Sequence, residues 1–80
     1  MDNKEMLSAE QCRAARGLLN WSQNELATRV RMRKASISDF ERGVTNPLRK
    51  NLEDIRAAFE EVGIRFENND DEILVKLLKK

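Results

Sequence analysis

Apolar residues recur at helical spacing in four stretches of the chain and at strand spacing in two more. Cys12, Ala15, Leu18 and Leu19 form the inner side of a first predicted helix. Leu26, Ala27 and Val30, at i, i+1 and i+4, give a second. Ile37 and Phe40, three apart, give a third over residues 34–42, with Met32 as an apolar plug at the junction before it. Leu52, Ile55, Phe59 and Val62 give a fourth, which Gly63 ends. The small Ala27 allows close crossing of the second and third helices. Two short helices crossing at a large angle, the second free on its outer side, describe a helix-turn-helix.

Polar punctuation agrees with these spans. Ser8 is placed to cap the first helix, Gln11 to reach back to it, and Leu7 to pack on Cys12. Ser22, Glu25 and Trp21 repeat this grammar, so the second helix starts at Gln23, with Trp21 stapled onto Leu26 as a core anchor. Gly17 costs about 1 kcal/mol against Ala inside a helix and marks a candidate close helix contact. Residues 43–47, ending in Asn46-Pro47, read as a loop. In the tail, Ile64-Arg65-Phe66-Glu67 alternates, Asn68-Asn69-Asp70-Asp71 reads as a turn, and residues 73–77 alternate again. That pattern predicts a hairpin, with a short amphipathic helix through Leu74, Leu77 and Leu78 as the alternative.

Eighty residues hold one small domain. Three segments follow: a polar, flexible N-terminus over 1–7, the helical domain over 8–63, and a C-terminal extension over 64–80. No apolar run approaches the roughly 18–20 residues of a membrane span and no secretory signal opens the chain, so the expected address is cytoplasmic. Cys12, the only cysteine, reads as a small core residue. With no His, no Gly-rich phosphate loop and no base beside the cysteine, neither catalysis nor a metal or other cofactor is expected. The net charge of +1 hides an uneven distribution: residues 22–50 carry seven basic and three acidic side chains, residues 51–80 five and eight. A basic middle with an acidic tail suits one polyanion-facing side.

Three runs carry a family resemblance: Trp21-Ser22-Gln23-Asn24-Glu25-Leu26-Ala27, Ala35-Ser36-Ile37-Ser38, and Phe40-Glu41-Arg42-Gly43. Together they resemble the Xre/Cro-type DNA-binding domain of phage repressors and many bacterial regulators, with weaker similarity extending over residues 8–66. The resemblance implies a mainly α fold, a four-helix lambda-repressor-like domain, here with a short C-terminal β-hairpin or strand extension. It implies that Gln23 faces the DNA backbone. It also implies that Arg16, late in the first helix, pairs with Glu41, before the final Gly of the reader helix. Two positions depart from the pattern. Arg31 stands where the family usually has Gly at the turn, and Arg33 where it often has a capping Ser or Thr.

Under that resemblance the third helix enters the major groove, and its N-terminal residues reach base edges. Its outer face offers Lys34 for guanine, Ala35 for a thymine methyl, Ser36 and Ser38 as small polar groups, and Asp39 for cytosine. Arg31, Arg33, Arg42, Thr45, Asn46, Arg49 and Lys50 join Gln23 as candidate backbone contacts. Repressors of this type usually act as dimers, so the expected partners are double-stranded DNA and a second copy. The main reading is a dimeric repressor. The alternative is an antitoxin-like module whose tail, residues 64–80, binds a toxin; it predicts a tail left unpaired in the isolated chain.

Overall fold

The computed structural model describes residues 6–69 and 71–79. Residues 1–5 of the expected flexible segment over 1–7, Asp70 of the expected turn and Lys80 of the extension lie outside the described residues. Four helices, α1 (Ala9–Leu19), α2 (Gln23–Val30), α3 (Lys34–Glu41) and α4 (Arg49–Glu61), precede two strands, β1 (Ile64–Asn68) and β2 (Ile73–Leu77). The strands pair antiparallel with Phe66 opposite Val75, so the tail is a hairpin and not the alternative helix. No described helix is long and apolar enough to cross a membrane.

Local chemistry explains the helix starts. Ser8 Oγ accepts from the Gln11 N–H at 3.1 Å while Gln11 Oε1 accepts from the Ser8 N–H at 3.0 Å, closing a reciprocal capping box. Ser22 Oγ caps α2 through the Glu25 N–H at 3.0 Å. The Glu25 carboxylate does not complete a second box; it accepts instead from Arg29 Nε, one turn on, at 2.9 Å. A charged partner outcompetes a lone backbone N–H at this exposed site.

α1 and α2 both stop on a left-handed residue, Asn20 (φ 61°) and Arg31 (φ 60°). Asn visits that region readily; for Arg the Cβ clash is uncompensated by any side-chain bond. Arg31 is held there by the Met32 N–H bonding Ala27 O at 2.9 Å and by Met32 packing on the core. Gly63, at φ +105°, ends α4 as expected, and an added Cβ would meet Leu78 O at 3.4 Å.

The core draws Cys12 and Ala15 from α1, Leu26 and Ala27 from α2, Ile37 and Phe40 from α3, Leu52, Ile55 and Phe59 from α4, and Ile64 and Phe66 from β1. Leu7, assigned above to the flexible N-terminus, is buried in it as well. Phe59 is fully buried, stacks on Trp21 at 5.6 Å and meets Phe66 edge-on at 6.1 Å. This aromatic row ties the start of α2 and the first strand to α4, so Trp21 is an anchor whose ring partner is Phe59. Truncating Phe59 to Ala should cost about 3–5 kcal/mol. Three expectations fail. Leu18 is 47% exposed and Val62 38%, because α1 and α4 bury narrower stripes than their apolar positions offered. Gly17 has no atom within 4 Å of an added Cβ, so it marks no close contact.

The hairpin docks on α1 through β2 and on α4 through β1. Gln11, almost wholly buried, pins it: Nε2 donates to Asn68 Oδ1 at 2.7 Å. α3 is packed from behind by α2 and α1.

Returning Arg31 to Gly should relieve about 1 kcal/mol of left-handed strain and raise Tm by roughly 4–8 °C. Thermal melts of Arg31→Gly that stay at the wild-type midpoint would show that the turn is not strained.

Candidate nucleic-acid interface

The outer side of α3 begins the interface. With Ile37 and Phe40 buried, Lys34, Ala35 and Ser36 are exposed, while Ser38 and Asp39 are half-buried at its flank. Arg31 and Arg33 precede the helix, and both are exposed. The side chains of Arg31, Arg33 and Lys34 have no hydrogen-bond or ion-pair partner among the described residues. The other predicted cations are engaged. Arg42 Nη2 bonds Asp39 Oδ1 at 2.6 Å, Arg49 Nε bonds Glu53 Oε2 at 3.3 Å, and Lys50 Nζ bonds Asp54 Oδ2 at 3.0 Å. These are exposed pairs worth about 0–1 kcal/mol each, cheap to exchange for a phosphate. Asp39, read above as a base reader, therefore holds Arg42. Thr45 and Asn46 sit exposed on the α3–α4 loop, and Arg31 and Lys50 line one groove between α2 and α4.

The four helix N-termini divide into two kinds. α1 and α2 have serine caps and an acid in the first turn, Glu10 and Glu25. α3 and α4 have neither; they open on Arg33-Lys34 and on Arg49-Lys50. A cation at the positive end of a helix dipole is unfavourable by about 0.3–1 kcal/mol, and the first N–H groups there lack side-chain acceptors. Both defects vanish when an anion arrives.

Behind α3 lies the Glu41 carboxylate, 3% exposed at the end of the helix. Arg16 Nε and Nη2 each donate to it at 2.7 Å, a bidentate pair. The Cys12 thiol donates to Oε2 at 3.0 Å and Gln23 Nε2 to Oε1 at 3.1 Å. Arg16 Nη1 also reaches Trp21 O at 2.9 Å, and Arg13 Nη1 donates to the Glu41 carbonyl. Thus α1 and α2 grip the last residue of α3. The expected Arg16–Glu41 pair is present. Two participants were not anticipated: Cys12, read as an apolar filler, and Gln23, whose amide is aimed inward at Glu41 rather than free for a phosphate. No local sequence signal marks either, since they lie 29 and 18 positions from Glu41.

Burial alone would raise the Glu41 pKa, but donation from Arg16, then Cys12 and Gln23, together with the Arg16 charge, outweighs it and holds the carboxyl below its ordinary value. The same bonds raise the Arg16 pKa. Burial first, and then Glu41, push the Cys12 thiol far up, so it stays a protonated donor and is no nucleophile.

A recognition helix presented by a crossing partner, with unpaired cations at its entry, defines a helix-turn-helix DNA-binding domain. The helix-turn-helix family model HTH_3, the Xre/Cro-like type, matches residues 13–66, and the chain belongs to that family. No curated protein matches the chain.

Two predictions concern Glu41. Its folded pKa lies below the unfolded value near 4.5, so its contribution is fully present above that pH and is lost as pH falls through the folded value. Denaturant titrations at pH 5.5 and pH 3 should show wild type losing more stability than Glu41→Gln over this interval; equal losses would contradict the bonded carboxylate. Arg16→Met alone should cost about 3–5 kcal/mol by stranding a buried charge. Arg16→Met with Glu41→Leu should cost clearly less than the sum of the two single changes, whereas additivity within about 0.5 kcal/mol would deny the coupling.

Proposed function

We propose that this protein is a sequence-specific regulator of transcription that binds double-stranded DNA as a homodimer and represses by occluding a promoter. α3 enters the major groove, with Lys34, Ala35, Ser36 and Ser38 reading base edges. Arg31 and Arg33 take phosphates at its entry; Thr45, Asn46, Arg49 and Lys50 take them along the loop and α4. Asp39 and Arg42 act as a pair: the carboxylate aims the guanidinium at the backbone or, released from it, accepts from a base. Gln23 contributes its backbone N–H at the start of α2, while its side chain helps hold Glu41.

One observation carries this reading. The helices that begin beside the reader face keep cations at their positive ends and omit the caps and acids that stabilise α1 and α2. Such an arrangement costs folding energy and is repaired by phosphate. The antitoxin-like reading is less well supported. It predicts a tail left unpaired in the isolated chain, and the hairpin is paired over five residues and docked on α1 and α4.

Selection of bound fragments from random duplex DNA, with affinity measured against salt, tests the proposal. Lys34→Ala should relax the preference at one or two base pairs and cost about 1–3 kcal/mol on the selected site. Arg33→Ala should weaken all duplexes alike and lower the salt slope by about 1. If the two variants select the same sequences with the same salt dependence, α3 is not the reader.

A further inference from the structure

Two carboxylates of α4 have no part in the proposed DNA contacts, yet each holds a cation that does. Glu53 Oε2 accepts from Arg49 Nε at 3.3 Å, and Asp54 Oδ2 accepts from Lys50 Nζ at 3.0 Å. The cations stand in the first turn of α4 and the acids one turn behind them. Lys50, Asp54 and Arg31 line the same groove between α2 and α4.

Helix stability gives no reason for this order. α1 and α2 keep their acids, Glu10 and Glu25, in the first turn, where the helix dipole rewards a negative charge. Glu53 and Asp54 come after that turn, where the reward has faded. Base before acid is also the weaker direction for an i,i+4 pair, the reverse of Glu25 with Arg29. Such a pair shifts the folding equilibrium by only about twofold.

The order does change how α4 meets a polyanion. A lone cation attracts phosphates over a Debye length, about 8–10 Å at ordinary salt, so it rewards any loose approach. A cation closed on a carboxylate forms a dipole whose field falls off faster. It contributes only after it leaves the carboxylate for a phosphate oxygen in direct contact. A duplex seated in register by α3 offers that oxygen at a fixed place, whereas a loosely held duplex does not. Binding to unselected sequence is almost wholly electrostatic, so it loses most when a cation is kept closed.

We propose that Glu53 and Asp54 are specificity-determining residues: by holding Arg49 and Lys50 in the free protein, they lower affinity for unselected DNA more than for the target site. This rests on the DNA-binding reading and deepens it. What it adds is discrimination by residues that touch no base and take no phosphate, expressed as the ratio of the two affinities.

Duplex titrations of the full chain against salt test it, using the site selected from random DNA and a scrambled duplex of equal length. Glu53→Gln with Asp54→Asn should raise affinity for the scrambled duplex about tenfold near 0.1 M salt and steepen its salt slope by about 1 to 2. Affinity for the selected site should rise only about two- to threefold, the worth of the two lost pairs. Glu67→Gln is the control: it removes the same charge from an exposed pair, Glu67 with Lys76 at 2.6 Å, on the hairpin. It should move either affinity by less than about twofold. Equal gains on both duplexes, no gain on either, or the same gain from Glu67→Gln would overturn the proposal and leave the DNA-binding reading standing. A wild-type chain that binds neither duplex in dilute salt overturns that reading itself.

Discussion

The orientation of α3, the proposed reader helix, depends on one buried carboxylate. α3 has eight residues, too few to be stable as an isolated helix, and has no cap of its own. Ile37 and Phe40 hold its inner side down, but apolar packing is non-directional and leaves rotation and sliding cheap. Glu41 supplies the missing direction. Its two oxygens accept from Arg16, Cys12 and Gln23, so the end of α3 is held at one point by α1 and α2. A buried ion pair of this kind contributes little net stability against a hydrophobic replacement, because desolvation offsets the Coulomb gain. Its consequence is geometric: the outer side of α3 keeps one orientation relative to the rest of the molecule.

Stability and binding are separated along the chain. The capped helices α1 and α2, the aromatic row through Phe59, and the Gln11–Asn68 bond lie behind the interface. The uncapped starts of α3 and α4, the left-handed Arg31, and Arg33 and Lys34 with their unpaired side chains belong to the proposed interface. Each feature at the interface breaks a local rule of helix design, and each does so by placing positive charge where a polyanion would arrive.

The hairpin closes the back of the core and does not pack on α3 as a principal neighbour. β1 follows the alternation of a strand with one wet face, its Ile64 and Phe66 buried and its Arg65 and Glu67 exposed. β2 has no fully buried residue.

The sequence by itself determined what local chemistry controls. Ser8 and Ser22 announce helix starts because a hydroxyl there reaches an N–H within one turn, and Gly63 announces a stop because its φ is positive. Periodicity located nearly all of the core and the exposed face of α3, and the family motif located the Arg16–Glu41 pair. Tertiary structure alone decided which donors surround Glu41, that the Gln23 amide turns inward, and that Glu25 prefers Arg29 to its capping role. It also decided that Leu18 and Val62 stay wet, whereas the hairpin was already legible in the alternation of the tail. Those outcomes turn on contacts across long separations or on competition between nearby partners. Of these, only the i,i+4 pair of Glu25 with Arg29 has a spacing that the sequence records.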